Sequence, residues 1–186
     1  MANPALLNGF NIANVEHVTV TTHDDVPVVY HYRTMSSFDA ESKVSEGEEK
    51  TLRIKNRIMG RLKYDDIQEG YDLDCEDGNV IPEILALVDG GNWDAGAKKY
   101  SAPVIGTEVE RKVFDMDIYT SNRDASGAAQ SYLKWHFPNC KGKPIAISAK
   151  DDDFTNQKYK IESRAGKGQS PFEVEIVEEL PAVTES

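Results

Sequence analysis

Apolar and polar residues along this chain repeat with a period of two far more often than 3.6, the signature of half-buried strands rather than helices. Val15-Glu16-His17-Val18-Thr19-Val20-Thr21-Thr22 is rich in β-branched residues. His23-Asp24-Asp25 then supplies a turn and Val26–Tyr32 resumes an extended pattern, which predicts an early hairpin. His17 and His31 would face each other across it, each at a solvent-side position. Strand character returns at Thr51–Lys55, Ile58–Tyr64 and Gly70–Cys75. In the last of these Tyr71, Leu73 and Cys75 fall on one face and Asp72 and Asp74 on the other, so one face is dry and the other is wet or meets a polar partner. Val104–Ser121 reads mostly as strand, with Phe114, Met116, Ile118 and Thr120 opposite Val113, Asp115, Asp117 and Tyr119. Leu133–Phe137, Ile145–Ala149, Phe154–Ser163 and Phe172–Ile176 complete a set of eight or nine strands, with Pro138–Pro144 punctuating the chain between the first two.

One segment departs from this pattern. Ile81, Ile84, Leu85 and Val88 recur at helical spacing. Asn79 is placed to cap the helix, Pro82 suits the first turn, Glu83 suits the positive end, and Gly90-Gly91 can end it with a left-handed residue. The expectation is a helix of about ten residues packed on a sheet. The remaining segments, Gly90–Gly96 with Trp93, Asn122–Ala129, Asp151–Asp153 and Arg164–Pro171, read as loops, and the tail, about 182–186, should be flexible. With no repeat and no linker, residues 1–186 form a single domain. It is mainly β, an antiparallel β-sandwich or half-barrel with one short flanking α-helix.

The stretch Asp39–Lys50 has no apolar period and is dense in Glu and Lys. It predicts a long exposed loop, or the tip of a long hairpin ordered by a partner. Glu41, Lys43, Glu46, Glu48, Glu49 and Lys50 are its candidate contact residues.

Composition narrows the function classes. The chain has 186 residues, 32 of them acidic and 21 basic, for a net charge of -11. That length supports a core without disulfides or metals. The excess of acid argues against a protein that grips nucleic-acid phosphates, as does the scatter of Lys and Arg. No apolar run approaches the roughly 20 residues of a membrane span. Met1–Phe10 lacks the basic and apolar regions of a secretory signal. Cys75 and Cys140 are far apart and outside any CxxC pattern, so they read as buried or half-buried thiols of a protein made in a reducing cytoplasm.

Catalytic and metal-binding patterns are weak. Asp72, Asp74, Glu76 and Glu83 fall at positions one, three, five and twelve of a calcium-loop template, but its sixth position, where a sharp turn requires Gly, is Asp77. Asp151-Asp152-Asp153 reads as a solvated turn. The four histidines, His17, His23, His31 and His136, accompany no Gly-x-Ser-x-Gly turn, and carboxylate pairs in so acidic a chain discriminate nothing. Gly166-Lys-Gly-Gln-Ser170 lacks the spacing of a phosphate loop and precedes a strand. The expectation is a protein without enzymatic activity, cofactor or metal.

Three stretches in order carry a family resemblance. The first is Tyr64–Asn79 followed by Ile84-Leu-Ala-Leu-Val-Asp-Gly-Gly91, a strand, an acidic turn and a short helix closed by a double glycine. The second is Leu133-Lys-Trp-His-Phe-Pro-Asn-Cys-Lys-Gly-Lys-Pro144. The third is Tyr159–Arg164 with Gly168-Gln-Ser-Pro-Phe-Glu-Val-Glu-Ile-Val-Glu-Glu-Leu-Pro181. Together they resemble bacteriophage tail tube proteins, in particular those of phages and phage-derived particles of Gram-positive hosts. The resemblance implies a protomer that forms six-membered rings with copies of itself, the rings stacking into a hollow tube. It implies tape measure, tail terminator and baseplate proteins as partners, and a sheath protein where the tail is contractile. DNA would pass through without specific binding. The location implied is the virion tail, assembled in the host cytoplasm; a contractile bacteriocin or secretion particle would use the same protomer. On that reading six copies carry about -66. Asp72, Asp74, Asp115 and Asp117 become candidate lumen-facing acids that keep DNA from sticking, and the Asp39–Lys50 segment becomes an arm ordered on a neighbouring ring. A monomeric β-sandwich binding module, calcium-linked through Asp72, Asp74 and Glu76, is the alternative of a different class.

Overall fold

The structure is a computed structural model describing residues 9–149, 151–152 and 154–183. Met1–Asn8, Lys150, Asp153 and Thr184–Ser186 lie outside the described residues, and with them part of the expected frayed end.

The strong alternation seen in the sequence forms one eight-stranded antiparallel sheet. Its strands are β1 (Ile12–Thr22), β2 (Val29–Tyr32), β3 (Met35–Ser45), β6 (Ile67–Asp77), β9 (Phe114–Arg123), β10 (Ala129–Gly142), β11 (Gln157–Ser163) and β12 (Glu173–Val177). Two small hairpins, β4 (Glu49–Ile54) with β5 (Arg57–Lys63) and β7 (Asn92–Asp94) with β8 (Lys99–Ser101), stand apart from it. The order is β2-β1-β9-β10-β11-β6-β3, with β12 also on β10. β10 is long enough to serve two neighbours on one side: Tyr132–His136 pair with β12 and Cys140–Gly142 with β11.

The sheet folds over on itself. β1 and β3, near opposite ends of the order, come into contact, and the Tyr32 and Tyr159 hydroxyls of β2 and β11 meet at 2.8 Å in the buried interior. The inward residues include Leu73 with Cys75, and Phe114, Met116 and Ile118, which the alternation set on shared faces, together with Val18, Val20, Leu133, Phe137 and Ile161. The architecture is therefore a β-sandwich with one short helix, as the pattern predicted. Both cysteines are free and buried, and burial pushes their thiols well above the usual range, so they pack as small apolar groups.

Helix α1 (Pro82–Asp89) covers one side of the interior with Ile84, Leu87 and Val88. It is shorter than expected and is capped differently. The residue before it is Ile81, extended and without a side-chain cap, while the Asn79 N–H donates instead to the Asp77 carboxylate at 3.0 Å. That local turn occupies the region in which Asn79 would have capped. Pro82 does open the helix, and Gly90 ends it at φ 84°, its N–H reaching the Ala86 carbonyl.

Other departures have physical reasons. Val104–Val113 is not strand: Val104–Thr107 forms a turn, the Thr107 hydroxyl donating to the Val104 carbonyl, and the ladder starts only at Phe114. Ile145–Ala149 is irregular, because the Ile145 N–H is taken by the Asp89 carboxylate at 3.1 Å rather than by a neighbouring strand. The expected strand from Phe154 begins at Gln157. Pro138 does not break β10; the strand absorbs it in a bulge between Phe137 and Cys140, where Asn139 takes φ 49°. Trp93, expected in a loop, lies in the β7–β8 hairpin. Asp151 and Asp152 do form a turn.

The buried tyrosine pair supplies a test of the folded-over sheet. Tyr32→Phe leaves the Tyr159 hydroxyl without its partner in the interior, and chemical denaturation should show a loss of about 1–3 kcal/mol. Tyr159→Phe should cost a similar amount, and the double variant less than the sum of the two.

Candidate functional site

Among the described residues no enclosed constellation of reactive groups stands out; the most unusual feature is an arm. β3 and β6 form a long antiparallel stem, and the chain continues beyond it into the β4–β5 hairpin before returning. The joint is tight. The Tyr64 N–H bonds the Glu48 carbonyl, and the Gly47 N–H bonds the Asp66 carboxylate at 2.9 Å. A Cβ on Gly47 would sit 1.9 Å from the Tyr64 carbonyl oxygen, so only glycine lets the two strands cross from stem to hairpin here.

The stretch expected as a loop is thus ordered within the chain itself. Asp39–Ser45 belongs to β3, Glu41 standing opposite Asp72 and Lys43 opposite Gly70, and Glu49 and Lys50 open β4. Glu46 and Glu48 flank the joint. Lys50 pairs with Glu48 at 2.9 Å, and Glu49 lies 4.0 Å from Arg61. The part of the arm without a core of its own is farther along the chain than the sequence placed it.

Every residue of β4 and β5 is exposed. Register puts Leu52, Ile54 and Leu62 on one face, flanked there by Lys50 and Arg57, and Glu49, Thr51, Arg53, Ile58, Arg61 and Lys63 on the other, and Met59 is the extra residue of a bulge. Leu52, Met59 and Leu62 are 60%, 61% and 50% exposed, far from the treatment such side chains receive in the sandwich. Residues 49–63 also carry six of the 21 Lys and Arg against a single Glu, a local net charge of +5 that leaves the rest of the chain at -16. Along the sequence the Lys and Arg look scattered, but here they gather. The signal that could have found this is their two-to-four-residue spacing from Lys50 to Lys63, interleaved with Leu and Ile.

The four aspartates expected to line a lumen all lie on faces turned away from the core, and each has a basic side chain or a histidine beside it. Asp72 accepts from Arg164 at 2.6 Å and lies 3.8 Å from Lys143; partial burial opposes ionisation, but the Arg164 bond holds its carboxyl below the usual range. Asp74 meets Lys160 at 2.8 Å. Asp115 meets His23 at 2.9 Å and accepts the Asn139 N–H. Asp117 is 2.7 Å from His136 and 3.5 Å from Lys134, and this hydrogen bond raises the His136 pKa. Two stand on β6 and two on β9, with β10 and β11 between those strands. Glu76, the third residue of the calcium alternative, pairs with Lys158 and accepts from Asn156. Among the described residues no three His, Cys, Asp or Glu side chains are grouped as a metal ion needs.

His17 and His31 do meet, with Nε2 and Nδ1 3.1 Å apart and the Thr19 hydroxyl equally close to His31. His17 is not at a solvent-side position, however. It is fully covered, packed edge-on to Tyr119, and its Nδ1 has no partner. A bulge between Val15 and His17 alters the simple alternation there. Burial, then the nearby His31 and Arg33, lower the His17 pKa to about 4.

No protein-family model matches this chain. Nor does any curated protein. Among solved structures, a chain in the cryo-EM structure of the anti-feeding prophage baseplate, symmetrised six-fold, is similar at a TM-score of 0.34 and 12% identity, over 95% of this chain and 97% of that one. At this distance the likeness assigns no role.

His17 makes the fold acid-sensitive. Its folded pKa of about 4 lies below the roughly 6.5 of an unfolded histidine, so the unfolded chain binds the extra proton between those values. Stability therefore falls as pH drops from about 6.5 toward 4. The shift makes this loss on the order of 2 kcal/mol across that range. His136 works in the opposite sense, so the comparison must be internal: urea denaturation between pH 4.5 and 7.5 should show a smaller acid loss for His17→Gln than for the parent.

Proposed function

We propose that this chain is a structural subunit of the tail tube of a phage or phage-like particle, without enzymatic activity or cofactor. In this reading copies of the chain form six-membered rings that stack into a hollow conduit for DNA. The tape measure protein lies inside, terminator and baseplate proteins at the ends, and a sheath outside where the tail is contractile. The sequence resemblance suggests the family. The observation that carries the need for identical neighbours is the β4–β5 arm. A two-stranded hairpin with open edges and exposed leucine, isoleucine and methionine gains little on its own. Burying the half-exposed Leu52, Ile54 and Leu62 against another surface is worth roughly 1–1.5 kcal/mol each before ordering costs. Repeated head-to-tail contacts between copies give a ring where the rotation closes and a filament where it does not.

The sandwich itself also fits a polymer. Its sheet ends in edge strands at β2, β3 and β12. Unpaired edges template association, and pairing edges between copies is one way to remove them.

Electron microscopy of concentrated, purified protein tests this reading. Tubes with a regular ring repeat are expected. Replacing residues 49–63 by a Gly-Gly link should leave the circular dichroism of the sandwich intact and give monomers by sedimentation velocity. A parent protein that stays monomeric at every concentration and salt overturns the tube; small particles whose stability falls with a chelator would point to the calcium-linked module.

A further inference from the structure

The arm has a complementary surface on the same chain, one it does not touch. β12 is hydrogen-bonded on one side only, to β10, and its sequence Glu173-Val-Glu-Ile-Val177 is exposed at its first four residues. The stretch from Glu173 to Glu179 holds four Glu and no cation. Val174 and Ile176, opposite Trp135 and Leu133, are 45% and 56% exposed although they lie on the inward side of the sheet. The molecule thus presents an acidic edge strand with an uncovered apolar face, and a basic hairpin with an uncovered apolar face.

We propose that the β4 strand of one copy adds to the free edge of β12 in a second copy, extending its sheet. This inference rests on the tube reading for its biological setting but specifies a contact that reading leaves open. The two strands match in length, six residues and five. In an antiparallel register with Arg53 opposite Glu175, Ile54 falls opposite Val174 and Leu52 opposite Ile176, while Lys55 reaches Glu173. Opposed residues share a face, so this one register satisfies charge and apolar burial together. A one-residue slip sets Leu52 or Ile54 against glutamate, which gives the contact its specificity. Strand addition supplies main-chain hydrogen bonds, and alternate side chains select the partner. Addition within one chain is not seen: β4 pairs only with β5, and β12 only with β10.

Charge reversal tests the pairing. Arg53→Glu with Lys55→Glu lies wholly on the exposed hairpin and should lower self-association at least tenfold by sedimentation velocity, as should Glu173→Lys with Glu175→Lys. The chain carrying all four changes should regain association, because second copies then match again. If the β12 variant unfolds by circular dichroism, zero-length carbodiimide coupling of the parent replaces it, and an intermolecular Lys55–Glu173 or Lys55–Glu175 cross-link identified by mass spectrometry is expected. Unchanged association of the hairpin variant, no recovery in a folded fourfold variant, or no such cross-link overturns the contact. So does a parent that stays monomeric while its hairpin binds vesicles of anionic phospholipid. The outcomes separate the two readings: tubes indifferent to charge reversal keep the tube and remove this contact, whereas charge-rescued association into particles other than tubes keeps the contact and removes the tube.

Discussion

Every strand must hydrogen-bond its backbone and cover at least one face, and a single chain of this length meets that demand only in part. In the sandwich it is met by folding an antiparallel sheet over on itself, so that Val18, Leu73, Met116, Ile118 and Ile161 close on one another. In the arm it is not met. Among the described residues β4 and β5 form their ladder with each other and with no other strand, and their leucines and isoleucines face water. The molecule's character follows from this contrast between a finished core and an unfinished extension.

Electrostatics sharpens the contrast. The arm is strongly basic in a chain that is otherwise strongly acidic, so arms repel one another and are attracted to the rest of any copy. The outward carboxylates of β6 and β9 take a smaller part in that attraction, because Arg164 and Lys160 offset Asp72 and Asp74, and Lys134 lies beside Asp117. A lumen built on these faces would present ion pairs as well as bare acids. Around β12, Glu175 stands opposite Lys134 and Glu173 opposite His136, but among the described residues Lys134 and His136 pair with Asp117 instead, which leaves this acidic stretch available to a basic partner.

Much of the fold was legible in the sequence. The alternation in Tyr71–Cys75 and Phe114–Thr120 named inward and outward residues because a strand's side chains have a fixed period, whatever the partner. Pro82, Gly90 and the helical spacing between them located α1 because proline and left-handed glycine act locally. The early hairpin, and with it the approach of His17 to His31, followed from a turn flanked by β-branched runs. The sequence also held the composition of the arm, though not in a form that alternation alone singles out.

What tertiary structure alone decided were the matters that depend on distant residues. Ile145–Ala149 has strand-like composition but no free neighbour, since Asp89 claims its first N–H. Pro138 passes through β10 because β9 and β11 hold the strand on both sides of the bulge. His17 is buried because β2 and Tyr119 arrive from elsewhere in the chain. Asp39–Ser45 is strand because β6, some thirty residues on, bonds it. Local chemistry set each segment's preference and its faces; which edges found partners, and which were left open, was settled only when the sheet closed.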